Sequence, residues 1–278
     1  MAPRRSKIHR RLARAVGQAI ANFSMIAEGD RILCAVSGGK DSFTLLELLS
    51  ELQSRAPVHF DLVAVHVDQG HPDVPRGAVE RALAEHGHEC RTVLDDTYSI
   101  LKSTVAPGET PCPLCARLRR AILYRLCDEL GCNKLALGHH CDDLVVTLLL
   151  NLLFAGQLKA MPPKLVSDDG AHLVIRPLCY CTESDIVAYV HERGFQPVPC
   201  AMCCSRPSER RRASELLRDL ELRYGGVRAS MLHALRDVRP SHLLDVRLWR
   251  ALGLPVARDL PAAAGGAREV VREVPHVD

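Results

Sequence analysis

Six consecutive residues, Ser37-Gly38-Gly39-Lys40-Asp41-Ser42, gather the groups that bind a phosphate. Two adjacent glycines let the backbone turn with positive φ and let a ligand approach the main chain closely. Lys40 adds a cation, and Ser37 and Ser42 add hydroxyl donors. The apolar run 31–36 before them and the helically spaced run 43–49 after them predict strand, tight turn and helix. The free N–H groups and dipole of that helix then face an anion. The Walker spacing of glycine, lysine and hydroxyl is missing. An ordinary Gly-Gly turn with a Ser or Asp cap is the plainer reading, but a turn alone requires neither the lysine nor both serines. A second constellation, His139-His140-Cys141-Asp142-Asp143, closes the apolar run 133–138 and opens the apolar helix 144–154. Asp41, Asp142 and Asp143 are hard oxygen donors, and His139 beside them either contacts phosphate or caps its turn. Asp68, at the end of the near-continuous apolar strand 60–67, is either a loop cap or a group on the adenosine side of the same site.

The chain has twelve cysteines. Cys112-x-x-Cys115 stands where the loop 107–111 runs into the helix 116–130. A helix N-terminus and the nearby Arg117, Arg119 and Arg120 favour thiolate there. Alone, the pair reads as a redox dithiol, half a zinc site or half an iron–sulfur site. A second group, Pro199-Cys200-Ala201-Met202-Cys203-Cys204, begins 85 residues after Cys115. A thioredoxin-like site needs only one pair, so two separated groups read better as one metal centre assembled across the fold. Cys34, Cys90, Cys127, Cys132, Cys141, Cys179 and Cys181 fall in apolar or ordinary contexts and are expected as small core residues.

The elements that must position these groups alternate. Strands are read at 31–36, 60–67, 89–94, 133–138 and 172–175, with helices at 43–49, 76–87, 116–130, 144–154 and from the Thr182 cap to Arg193, the last with Glu183 and Asp185 in its first turn. Residues 155–171 read as a loop. This predicts an α/β fold with a doubly wound, mostly parallel sheet and helical N- and C-terminal additions. The expected organisation is a basic amphipathic helix over 1–28, the sheet domain over 29–195, a helical region over 196–251 and a loosely ordered tail over 252–278. The first helix opposes Arg4, Arg5, Lys7, Arg10, Arg11 and Arg14 to an apolar stripe through Leu12, Val16 and Ala19; it is either a solvated face or a contact for a phosphate backbone. An arginine-rich helix runs from Glu209 to Leu222.

Composition narrows the classes. With 47% apolar and 25% charged residues the chain is of globular type, and a net charge of +3 does not by itself announce nucleic acid. Any nucleic-acid contact must come from local patches such as Arg117, Arg119 and Arg120, or Arg206, Arg210, Arg211, Arg212 and Arg218. No apolar stretch can span a bilayer and the N-terminus lacks a signal core, so a reducing cytoplasm is expected, with neither membrane nor DNA as partner.

Ser-Gly-Gly-Lys-Asp-Ser at 37–42 resembles the signature of the PP-loop ATP pyrophosphatases, of the adenine nucleotide alpha hydrolase-like fold. That resemblance implies ATP and Mg²⁺. It narrows with Cys112-Pro-Leu-Cys115-Ala-Arg117-Leu-Arg119-Arg120, Leu137-Gly138-His139-His140-x-Asp142-Asp143, Gly156 through Met161-Pro162-Pro163-Lys164, Arg176-Pro177-Leu178 and Pro199-Cys200-x-x-Cys203, in that order. Together these are similar to the tRNA 2-thiocytidine synthetase (tRNA-cytidine(32) 2-sulfurtransferase) family, from about Ala27 to about His242. The resemblance implies adenylation of the C2 carbonyl of cytidine 32 and its replacement by sulfur. It also implies a [4Fe–4S] cluster on Cys112, Cys115 and Cys203, with Cys200 as competitor and Cys204 where the family has a small residue. Lys40, Asp41 and the three cysteines are then catalytic. Residues 37–42 with Asp68, His139, Asp142 and Asp143 bind the nucleotide, and Asp41 and Asp143 hold magnesium. A cysteine desulfurase is the implied sulfur source and a homodimer the implied assembly. A 2-thiouridine-type relative fits less well, because it carries zinc-binding Cys/His pairs at both ends and this chain has no cysteine before Cys34 or after Cys204. A metal-stabilised RNA-binding module without catalysis leaves residues 37–42 and 139–143 unexplained.

Overall fold

The computed structural model describes residues 6–106, 111–167, 170–198 and 209–256. In chain order the elements are α1 (Lys7–Asn22), β1 (Asp30–Ala35), α2 (Lys40–Gln53), β2 (Phe60–Asp68), α3 (Ala78–Ala84), β3 (Arg91–Leu94), α4 (Thr97–Thr104) and α5 (Cys112–Leu130). They continue with β4 (Lys134–Ala136), α6 (Cys141–Leu150), β5 (Lys164–Val166), β6 (Leu173–Ile175), α7 (Glu183–Arg193), α8 (Glu209–Tyr224), α9 (Val227–Ala234) and α10 (Val246–Ala251). The chain divides into two compact units, one holding the described residues of 6–144 and 161–198, the other 145–160 and 209–256.

The first unit is built on a six-stranded sheet in the order β3-β2-β1-β4-β6-β5. All neighbours pair in parallel except β5, which runs antiparallel to β6. Strand residues point alternately to the two faces, and the core follows that alternation. Ile32, Cys34, Ala136 and Ile175 join α1, α2, α3 and α7 on one face. Leu33, Val65, Leu135 and Val174 join Ile122, Leu123 and Leu126 of α5 on the other. The doubly wound, mostly parallel sheet read from the sequence is therefore the observed architecture. Chain order reverses between β1 and β4, which makes their carboxyl ends the switch point where open α/β sheets bind ligands.

Three local readings change. Residues 155–171 contain β5, whose three residues show no period of their own and are set by pairing with β6. Helix α4, capped by the Asp96 side chain on Ser99 N–H, lies in a stretch that gave no sequence signal. The helix expected over 144–154 starts earlier, at Cys141, because Asp143 reaches back to the His140 N–H at 3.1 Å. Its last residues widen into a π turn over Asn151–Ala155.

The second unit has its own small core, with Val145, Val146, Leu149 and Leu150 packed on Ala213 and Leu217. No described helix is long and apolar enough to cross a membrane.

Candidate active site

The turn between β1 and α2 closes on its own hydroxyls. Ser37 N–H donates to Ser42 Oγ at 3.1 Å, Ser42 Oγ donates to Gly39 O at 3.1 Å, and the two hydroxyls lie 3.2 Å apart. The serines thus shape the turn. Gly38 sits at φ +82°, and a methyl group there would lie 2.8 Å from Val79 Cγ2. Its carbonyl accepts from Val198 N–H at 3.0 Å, which ties the last described residue before the second cysteine group to this turn. Residues 199–208, with Cys200, Cys203, Cys204 and Arg206, lie outside the described residues.

Lys40 opens α2. Its ammonium lies 3.0 Å from Asp41 Oδ2 and 3.1 Å from Glu183 Oε1 at the start of α7. Burial alone pulls the ammonium's pKa down, but these two carboxylates outweigh it and hold it above its ordinary value. Burial acts on Asp41 in the opposite sense and pushes its carboxyl up, against His140 and Lys40, which favour the ionised form. Asp41 Oδ1 is buried with no hydrogen-bond partner.

The segment after β4 presses on this turn from the neighbouring strand. A methyl group on Gly138 would meet the backbone carbon of Asp41 and the nitrogen of Ser42, both at 3.0 Å. Glycine at 138 is what lets the two strand ends approach. Beyond it, buried His140 projects Nε2 to 3.6 Å from Asp41 Oδ1 and 3.5 Å from Asp143 Oδ2. Asp41 and Asp143 therefore flank one imidazole. Asp142 serves two neighbours: its Oδ2 lies 3.7 Å from His140 Nδ1 and accepts from the Glu183 N–H at 2.8 Å, capping α7. His139 is held through Nδ1, which accepts from Arg176 Nε at 3.3 Å. A guanidinium only donates, so the His139 ring proton sits on Nε2. Arg176 is almost wholly buried and also donates to Pro162 O at 2.7 Å. Sequence reasoning singled out His139 and passed over His140, Arg176 and Glu183 as site residues. Glu183 was legible only as a first-turn acid, and Arg176 only within Arg-Pro-Leu.

Asp68 ends β2 and accepts from Gly70 N–H at 3.0 Å, closing its own turn. It also lines a pocket of ≈ 280 Å³ with His71, Val74, Pro75 and Arg76. Gln69, the next residue, donates from its side-chain amide to Cys115 Sγ at 3.4 Å. Cys115 is buried and free, one turn into α5, the helix that Cys112 opens. Cys115, the second of the first cysteine pair, thus lies beside the end of β2, the parallel neighbour of β1. Arg117 and Arg119 are exposed on α5. Among the remaining described cysteines, Cys34, Cys127, Cys132, Cys141, Cys179 and Cys181 are buried, as expected of core residues, and Cys90 is partly so. Burial pushes the Cys127 and Cys181 thiols up to about 12, which keeps them protonated and inert.

Among the described residues no group of three or more His, Cys, Asp or Glu is arranged to hold a metal ion. Magnesium does not need one, since it binds through one or two carboxylates, water and substrate phosphates. The orphaned Asp41 Oδ1 beside Asp143 fits such an ion.

Comparison with known proteins agrees with this geometry. A family model described as a PP-loop domain matches residues 6–198. The tRNA-cytidine(32) 2-sulfurtransferase of Sorangium cellulosum (strain So ce56) is 55% identical over 264 residues, covering 95% of this chain and 92% of that one. The enzyme of the same name from Aeromonas salmonicida (strain A449) is 51% identical over 245 residues, covering 88% and 81%. Among solved structures, the U34-tRNA thiolase NcsA from Methanococcus maripaludis with its [4Fe-4S] cluster superposes with a TM-score of 0.64. It is 21% identical and covers 91% of each chain, a likeness of fold. An alignment of such identity over almost the whole chain, on a phosphate-binding turn at the switch point of the sheet, means that the chain belongs to the tRNA-cytidine(32) 2-sulfurtransferase family of PP-loop enzymes.

Proposed function

We propose that this chain replaces the C2 oxygen of cytidine 32 in tRNA by sulfur, giving 2-thiocytidine at the expense of ATP. The observation that carries the reading is a convergence at one sheet edge. The turn bearing Lys40 follows β1, the His140 and Asp143 segment follows β4, and the Cys115 thiol meets Gln69 at the end of β2. The names of the relatives support the tRNA base.

The C2 carbonyl of cytosine is a poor electrophile and its oxygen a poor leaving group. In the proposed sequence that oxygen attacks the α-phosphorus of ATP, the α–β phosphoanhydride bond breaks and pyrophosphate leaves. Lys40 and the N–H groups opening α2 stabilise the charge gathering there. His139, with its proton held on Nε2, offers a neutral donor to the phosphates. A sulfur nucleophile then adds to C2, the C2–O bond breaks, and AMP leaves with the original oxygen. Asp41 and Asp143 would hold Mg²⁺, which neutralises phosphate charge.

Cys112, Cys115 and Cys203, with Cys200 as competitor, are the ligands we assign to a [4Fe–4S] cluster. Cys115 fits such a role as a free, buried thiol in the first turn of α5, beside Gln69. When bound, a cluster with three protein ligands supplies an open iron, the centre from which sulfur is delivered. A cysteine desulfurase as sulfur source, a homodimer and a cytoplasmic setting belong to the same proposal. The eight free cysteines among the described residues agree with a reducing compartment.

The test is 2-thiocytidine in tRNA, read by mass spectrometry in cells with and without the gene, alongside the iron content of the purified chain. Deletion should abolish the modified base and the parent gene restore it. A Cys112→Ala copy should restore nothing and yield protein depleted of iron but still binding ATP. An unchanged 2-thiocytidine level in the deletion rejects the substrate, and thiolation retained by Cys112→Ala rejects the cluster.

A further inference from the structure

We infer that Lys7, Arg10 and Arg14 on α1 form a docking surface for the phosphate backbone of the tRNA, beside the nucleotide site. This rests on the tRNA reading above and names the surface that meets the RNA.

Helix α1 carries four cations and no acid in sixteen residues. Lys7, Arg10, Arg11 and Arg14 recur at i, i+3, i+4 and i+7, so they share one face, and all four are exposed. Like charges at that spacing repel. Lys7 and Arg10 also stand at the helix N-terminus, where the dipole favours anions and the first turn has no acid to offer. The local electrostatics of the helix therefore oppose these charges. It persists because Leu12, Val16 and Ala19 are buried on the opposite face and Ser6 caps the His9 N–H at 3.0 Å. A charge that its own helix disfavours calls for an anion from outside.

Among the described residues only Arg11 has one, the Asp185 carboxylate on α7. Lys7, Arg10 and Arg14 have no acidic partner among the described residues. Helix α8 holds five arginines against the three of α1, but it also holds four acids and behaves differently. There Arg211 pairs with Glu215 at 3.0 Å and Arg212 with Glu209 at 2.6 Å, so these two charges are answered on the helix's own surface.

Position supports an RNA partner. Asp185, which holds Arg11, lies two residues from Glu183, which holds Lys40 at 3.1 Å. One end of α7 thus joins the middle of the basic stripe to the phosphate-binding turn. From Lys7 to Arg14 the stripe rises about 10 Å, enough to meet more than one backbone phosphate. RNA lying along it would enter the site from the side on which ATP is held.

The experiment compares three forms of the full chain: the parent, Lys7→Gln/Arg10→Gln/Arg14→Gln, and Arg211→Gln/Arg212→Gln. Affinity for an unmodified tRNA transcript is measured across a salt series, with ATP affinity and unfolding temperature measured on the same samples. Each lost phosphate contact makes the slope of log K against log salt shallower by about 0.7–0.9. The α1 variant should lose roughly tenfold or more in tRNA affinity near 0.1 M salt, with a slope shallower by about 2, while ATP affinity and unfolding temperature stay at parent values. The α8 variant should keep the parent slope. Parent-like affinity and slope in the α1 variant overturn the proposal, as does an equal loss in the α8 variant, which would mark a general charge effect. A parent chain that binds no tRNA at all removes the substrate reading and this surface with it, a result distinct from either.

Discussion

Lys40 lies between two carboxylates, one from its own turn and one from α7, and is raised above its ordinary pKa by them. That fixes the ammonium in place and makes the surrounding geometry demanding. Gly138 is the sharpest point of that demand, because the atoms a methyl group would meet are backbone atoms of Asp41 and Ser42. They cannot rotate away as a side chain would. Gly138→Ala should therefore push the start of α2 away from β4. Overpacking of this kind costs about 1–3 kcal/mol, and ATP affinity should fall roughly tenfold or more as the N–H groups lose their aim. Nucleotide titration and thermal unfolding of the variant check both, and unchanged ATP affinity would mean that the strand ends need not approach. The close approach was invisible in the sequence, where Gly138 reads only as the end of an apolar run.

Among the elements, α2 and α7 are fastened by one carboxylate. Glu47 accepts from His88 Nε2 at 2.9 Å, from Tyr189 OH at 2.9 Å and from both Arg193 Nη2 at 3.0 Å and Nε at 2.9 Å. Burial alone would push the Glu47 carboxyl up, but these donors outweigh it and hold it down at about 2. A carboxylate depressed in the folded state contributes stability that is full above its unfolded pKa, near 4.5, and is lost as pH falls towards 2. Glu47→Gln should cost about 3 kcal/mol at pH 7. The gap between parent and variant should close between pH 4.5 and 2, seen in denaturant melts across that range. A gap that stays constant across that range would show that the ionised clamp does not hold the helices. The same clamp holds the second half of α7, the helix whose first residue, Glu183, meets Lys40.

On the scale of the whole molecule, the two units differ in the size of their cores. The first spans both faces of the sheet. The second rests on six buried side chains, among them Leu217, which is wholly buried. Leu217→Ala should cost about 2–5 kcal/mol, felt first by Val145, Val146, Leu149 and Leu150 around it. Amide exchange should quicken in α8 and α9 while β1 and β4 stay protected. Uniform quickening across the chain would instead mean that the two units unfold as one. With a net charge of only +3, long-range attraction for RNA is weak, and affinity must come from local stripes such as that on α1.

The sequence by itself determined the alternation of strands and helices, the phosphate-binding turn and the two cysteine groups. Each of these is written in short-range signals: glycine pairs, apolar periods and fixed spacings. It also announced the Thr182 cap with Glu183 and Asp185 in the first turn of α7, because a cap acts within four residues. Only the tertiary structure decided which of two adjacent histidines faces the carboxylates. It also set Asp142 against both His140 and the first N–H of α7 and brought Glu183 from α7 to Lys40. It made a strand of Lys164–Val166 by pairing and grouped 145–160 with the C-terminal helices. Most of these contacts join residues tens of positions apart, and even the local pairing of β5 is held in the sheet by β4 on the far side of β6. Their partners are chosen by sheet order and by which face of a helix the core takes, and a linear pattern carries neither.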